Sequence, residues 1–231
     1  MQPWEIVERA HAPDGTELVL ARRSAEWVVR IGGRVLMSSR THGSEEALAA
    51  LALAKLAARR TILIGGLGLG FTLRAVLDRV PVEARVIVAE LVPELVAWNR
   101  GPVAHLAGRP LDDARVRLQI GDVAGRIAEA TKAFDAILLD VDNSPSSLVL
   151  AANDRLYGDR GVRACQNALK PGGVLAVWSA GHDQRYLDRL DRAGFAAEEH
   201  TVAARGSDGG MRHVIFVAVK GIARRATRRS P

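Results

Sequence analysis

The chain has 231 residues, 48% of them hydrophobic and 25% charged, which is enough for one substantial core with a small appendage. Its net charge of +6 invites a nucleic-acid reading, but Lys220, Arg224, Arg225, Arg228 and Arg229 crowd the acid-free final twelve residues, KGIARRATRRSP. Basicity therefore belongs to a tail over 221–231, expected to be a disordered, solubilising end with at most weak, salt-sensitive attraction to nucleic acid.

The N-terminal stretch MQPWEIVERAHAPDG has acids and no apolar core, so no leader peptide is expected. The most apolar segment, 47–71, is interrupted by Lys55, Arg59, Arg60 and several glycines, so no membrane span is expected either. Cys165 is the only cysteine, which rules out an internal disulfide and makes the cytoplasm the default compartment.

The first 43 residues read as a small antiparallel β unit. GTELVLARR follows a Pro-Asp-Gly turn, and EWVVRIGGRVLMSS is two apolar runs about Gly32-Gly33, a hairpin signal. Ser44 is then expected to cap a helix running to Arg60, with Glu45 and Glu46 in its first turn and Arg59 and Arg60 in its last.

From Thr61 short apolar runs alternate with helical stretches: TILIGG, RVIVAE, RVRLQIGD, FDAILLDVD and GGVLAVWSA, each followed by a helical segment. AEEHTVAA and RHVIFVAVK come last, joined by a link too short for a crossover helix, so they must form an antiparallel hairpin. This predicts an α/β protein with a Rossmann-like, seven-stranded, mostly parallel sheet over 44–220. Five βα units closed by a hairpin are the pattern of class I S-adenosylmethionine-dependent transferases.

Gly65, Gly66, Gly68 and Gly70 all fall within six residues, after the first strand of that sheet. A dinucleotide fingerprint would need a third glycine where Phe71 stands. The G-x-G-x-G of Gly66, Gly68 and Gly70 suits instead an adenosyl sulfonium, which has no pyrophosphate to seat. Ligands gather at the carboxyl ends of such strands. Glu90 ends the second strand, and its two oxygens match the vicinal hydroxyls of a ribose; the competing explanation is a solvated strand end. Asp122 ends the third beside Val123 and can accept from an adenine amino group, cap the following helix, or do both. Asp140 and Asp142 close the fourth strand two residues apart, on one face, where carboxylates can hold an amine or take its proton. Asp142 has a competing role in shaping the turn before Pro145.

Together these residues resemble the spermidine synthase family, the polyamine aminopropyltransferases. The resemblance runs through GRVLM, IGGLGLGFTLR, Glu90, GDV, FDAILLD, Leu156-Tyr157, ALKPGGVLAV and RHVIFVAV. It implies decarboxylated S-adenosylmethionine as donor, an amine acceptor and a homo-oligomer, commonly a dimer or tetramer; no metal is expected, because no pair among the six histidines has metal-ligand spacing and the single cysteine stands apart. It assigns Glu90 to the ribose, Asp122 to the adenine, and Asp140 to the attacking amine.

Three departures bear on function. Leu69 stands where the family turn carries an Asp that grips the aminopropyl ammonium. The DVDNSP segment from Asp140 is one residue longer than the family's. The helix from Ser44 lacks the family's Tyr-His-Glu run. The leading expectation is therefore a spermidine synthase-like transferase acting on a small nucleophile. An S-adenosylmethionine-dependent methyltransferase is the second, and a non-catalytic nucleoside-binding homologue the third.

Overall fold

The structure, a computed structural model, describes residues 2–13, 15–141, 155–206 and 209–221. Four strands come first, β1 (Glu5–His11), β2 (Glu17–Arg23), β3 (Glu26–Ile31) and β4 (Arg34–Ser38), paired in that order and all antiparallel. The expected hairpin turns at Gly32-Gly33, both at positive φ. β1 escapes sequence reading because EIVERAH has no apolar alternation and buries only Ala10. Backbone pairing holds it to the sheet, helped by ion pairs from Arg9 to Glu17 and from Arg22 to Glu5, both at 2.8 Å.

The next helix, α1 (Gly43–Ala54), differs from expectation at both ends. His42 occupies the N-cap without a side-chain bond, and Ser44 is buried inside the first turn. Lys55 already ends the helix, leaving Arg59 and Arg60 beyond it. Arg59 still serves the helix end, since its Nε reaches back to donate to the Leu53 carbonyl at 3.1 Å. A cation near the last carbonyls is favourable whether it comes from within the helix or from after it.

The remaining elements are β5 (Thr61–Gly65), α2 (Phe71–Leu77), β6 (Arg85–Glu90), α3 (Pro93–Arg100), β7 (Val116–Ile120), α4 (Val123–Ala128), β8 (Phe134–Leu139), α5 (Asp159–Ala168), β9 (Leu169–Ser179), α6 (Gln184–Arg192), β10 (Phe195–Ala203) and β11 (Arg212–Lys220). They build the expected seven-stranded sheet in the order β10-β11-β9-β8-β5-β6-β7. Strands β9, β8, β5, β6 and β7 are parallel, and β11 runs antiparallel to both its neighbours. Strand periodicity sorts the core. Leu63, Ile87, Ile137, Leu139, Leu175 and Val177 pack beneath α4, α5 and α6. Ile62, Ile64, Val86, Val88, Leu138 and Ala176 pack beneath α1, α2 and α3. A third cluster joins the small sheet to the large one, with Leu18, Leu20, Trp27 and Val29 against Leu69, Val92, Leu95 and Trp98. Among the described residues no helix is long and apolar enough to cross a membrane.

Asp135 is a buried carboxylate near the start of β8, and its position alone does not reveal its role. Its Oδ2 accepts the backbone N–H of Thr61 at 2.8 Å and of Arg60 at 3.2 Å, and the Lys170 ammonium sits 2.9 Å from Oδ1. It thus ties the start of β5 to β8 and β9. Removing it strands a cation and two amide donors. Asp135→Ala should lower unfolding free energy by about 3 kcal/mol, read from the urea midpoint, while Lys170→Met should cost less.

Candidate active site

The carboxyl ends of β5, β6, β7 and β8 converge on a cavity of about 590 Å³. Gly66, Gly68, Glu90, Asp122, Val123 and Asp140, all picked out from sequence, line it. The small sheet supplies the opposite wall through Leu18, Ile31 and Met37. Gly70 stands apart from this lining. It is the N-cap of α2, at φ 87°, where an added Cβ would lie 2.9 Å from Asn99 Oδ1. Asp142 lies outside the described residues.

The glycine turn is held by backbone bonds that leave no room for side chains. Gly66 donates to the Ala89 carbonyl at 2.9 Å, and the Asp140 N–H donates to the Gly65 carbonyl at 2.9 Å. At Gly66, with φ 91°, a Cβ would come within 2.2 Å of the Asp140 carbonyl oxygen. Only glycine lets β5 and β8 close so tightly beneath the cavity. From α3, Asn99 Nδ2 donates to the Gly68 carbonyl at 2.8 Å and fixes the tip of the turn.

Glu90 is 4% exposed. One carboxylate oxygen accepts the Leu67 N–H and the other the Val92 N–H, each at 2.8 Å. Burial raises its pKa, and those backbone donors oppose the rise. Two fixed donors orient the carboxylate and leave lone pairs on both oxygens for a pair of hydroxyls. Asp122 caps α4, its Oδ1 accepting the Ala124 N–H at 2.8 Å, while Arg155 stands 3.4 Å from Oδ2. The capping role is therefore present, and Asp122 and Arg155 both line the cavity.

Asp140 sits where two cavities meet. Met37, Gly68, Asp140 and Val141 line both the large one and a smaller one of about 100 Å³. Thr72, at the start of α2, donates its hydroxyl to Asp140 Oδ2 at 2.5 Å. Burial pushes Asp140 up to about 6, the Thr72 bond opposing and the Glu90 charge adding to the rise.

The smaller cavity holds groups that motif reading passed over. Glu45 of α1 enters it, raised to about 7 by burial and by the charge of Asp140. Trp178 from the end of β9 and His213 from the start of β11 complete it, their rings edge-on at 4.8 Å. Sequence alone read Glu45 as an acid serving the helix dipole, and nothing local linked it to a histidine 168 residues later. The indole and imidazole in this cavity thus come from β9 and β11. Leu69, 4% exposed, lines the same space.

With this geometry in place, likeness to known proteins becomes informative. Residues 41–184 match the model of the spermine/spermidine synthase domain. The polyamine aminopropyltransferase of Nitrosomonas europaea is 32% identical over 119 residues, 52% of this chain and 34% of that protein. Putrescine N-methyltransferase 4 of Nicotiana tabacum is 32% identical over 120 residues, 52% of this chain and 29% of that protein. The chain thus spans about a third of the length of these curated relatives. A solved spermidine synthase in complex with the transition-state analogue AdoDATO superposes with a TM-score of 0.76 at 20% identity, covering 94% of this chain and 74% of that one, a likeness of fold.

Proposed function

This chain belongs to the spermine/spermidine synthase family, and on that premise we propose that it transfers an alkyl group from an S-adenosyl donor to a small amine, with decarboxylated S-adenosylmethionine as the donor. The observation that carries this reading is Glu90, buried at the floor of the large cavity with both oxygens oriented by backbone donors. Glu90 holds the ribose hydroxyls. Asp122 and the Val123 backbone face the base. Gly66 and Gly68 let the turn approach the ligand without side chains in the way.

The donor supplies an electrophilic carbon next to a sulfonium. The chain supplies position and charge. Asp140, at the junction of the two cavities, faces that carbon and orients the amine lone pair toward it. Thr72 fixes the Asp140 rotamer. Placing two reactants in line accounts for much of the rate in such displacements. Carboxylates on the acceptor side draw the amine's proton, which must leave before nitrogen can attack. Calorimetry with methylthioadenosine, the thioether product of aminopropyl transfer, tests the donor site. Micromolar binding supports it, and no binding at millimolar ligand removes it.

Leu69 favours a second reading, methyl transfer from S-adenosylmethionine itself. It is buried beside Asp140, and a leucine gives no counter-charge to an aminopropyl ammonium. The likeness to a putrescine N-methyltransferase points the same way. Leu69→Asp should therefore shift the ratio of affinities toward the decarboxylated donor by about tenfold, roughly one charge-assisted hydrogen bond. Leu69→Asn is the uncharged control. Competition binding with the two donors reads the ratio, and an unchanged ratio would detach Leu69 from donor choice.

A further inference from the structure

Deprotonating an amine inside a closed site leaves a proton that must be shed at every turnover. Asp140 has the Thr72 hydroxyl as its hydrogen-bond partner among the described residues and feels the Glu90 charge, and neither takes a proton onward. Glu45, across the smaller cavity, is differently connected. The Ser44 hydroxyl donates to Glu45 Oε2 at 2.7 Å, and His213 Nδ1 lies 3.0 Å from the same Ser44 oxygen. Because the Ser44 proton points at Glu45, the consistent arrangement has Nδ1–H of His213 donating to Ser44. His213 is only partly buried.

This juxtaposition is built into the fold. The β10–β11 hairpin docks on the start of α1, where the Gly43 N–H donates to the Ala204 carbonyl at 2.8 Å. A Cβ at Gly43 would fall 2.2 Å from the Gly206 nitrogen. Gly43 thus admits the hairpin that carries His213 to Ser44.

We propose that Glu45, Ser44 and His213 form the path by which the acceptor amine's proton leaves the site. This rests on the reading of the smaller cavity as the acceptor side. The amine enters as an ammonium and loses one proton to the carboxylates, and Glu45 carries it. The freed nitrogen lone pair forms the new C–N bond. The C–S bond breaks with its electron pair to sulfur, which becomes a neutral thioether. Once Glu45 is protonated, the imidazole exchanges its Nδ1 proton with water for one on Nε2. Glu45 then gives its proton to Ser44 Oγ as the Ser44 proton passes to the vacant Nδ1, and the Nε2 proton goes to water, which leaves Glu45 ionised and Nδ1–H donating to Ser44 as at the start. Glu45 is the acid that touches the amine, while Ser44 and His213 act through it as positioning residues.

Among the described residues the charged groups facing the path are these. Asp140 from the end of β8 and Glu46 on α1 both raise Glu45, and burial lowers the His213 imidazole. When Glu45 is ionised it can only accept, so His213 must carry its proton on Nδ1. When Glu45 is protonated the chain inverts and the neutral ring carries it on Nε2.

Nitrogen-15 spectra of the imidazole in the 231-residue chain distinguish these tautomers. The expected result is Nδ1–H above pH 8, with Nε2–H gaining as pH falls through about 7. Glu45→Gln should abolish that pH dependence and Ser44→Ala should uncouple it. In parallel, turnover of decarboxylated S-adenosylmethionine with putrescine as the probe amine should fall about tenfold or more at neutral pH in Ser44→Ala and His213→Ala. Their methylthioadenosine affinity should stay within twofold, and Ser44→Thr should restore rate. A pH-independent Nε2–H tautomer in the unmodified protein overturns the proposal, as does a kcat–pH profile unmoved by both variants. If methylthioadenosine fails to bind while the tautomer switches as expected, the donor-site reading fails and the wiring of the path survives.

Discussion

Glu90→Gln is expected to weaken methylthioadenosine binding about 100-fold, or about 2.7 kcal/mol. Two effects add. The amide offers one acceptor oxygen where the ribose needs two, and charge-assisted bonds are roughly twice as strong as neutral ones. Its NH₂ also faces the N–H of Leu67 or Val92, donor against donor, at a position 4% exposed. The turn then loses one of its restraints in the free protein as well. Titration calorimetry reads the affinity, and a thermal melt shows how much of the loss comes from the turn. Glu90→Gln with unaltered affinity would mean that the carboxylate serves only to brace residues 67–92.

Asp140→Asn should reduce turnover by about a thousandfold while methylthioadenosine affinity changes little, within the range assigned to a positioned acid or base. The asparagine keeps the volume and can still accept from Thr72, so the fold is preserved. What is lost is the negative charge at the junction of the two cavities. The pH dependence follows from the raised carboxylates. Asp140, near 6, and Glu45, near 7, must ionise to hold an ammonium and take its proton, so kcat/KM should rise through that window and level off above it. Stability has the opposite sign. The fold holds these acids protonated more readily than the unfolded chain does. Their contribution is therefore fullest below the ordinary carboxylate range and is lost as pH climbs through the folded values. A urea midpoint for the free protein that falls between pH 5 and 8, while activity rises, is the expected signature.

The elements readable from sequence are those whose signal is local. The glycine turn, the apolar runs of the parallel sheet and the closing hairpin each announce themselves within about ten residues. Glu90 and Asp140 were legible because they end wholly apolar runs, and that placement is itself a signal in an open α/β sheet. β1 was not, since an edge strand with polar residues on both faces leaves no periodic trace. The early end of α1 was hidden because alanine and leucine continue past it and Arg59 caps it from outside. Gly70 read as part of a ligand turn because spacing cannot separate a glycine that faces a ligand from one that starts a helix. Most of the smaller cavity was illegible for a topological reason. Glu45, Trp178 and His213 come from three distant elements, and only the antiparallel return of β11 beside β9 brings the last two together.

The proposed function requires an adenosine lying in the large cavity with its sulfur turned to Asp140. A crystal structure of the protein with methylthioadenosine tests this most directly. The predicted result is density between Gly66 and Asp122, with both ribose hydroxyls on Glu90 and the thioether at the mouth of the smaller cavity. Density elsewhere, or a ribose with no contact to Glu90, would contradict it.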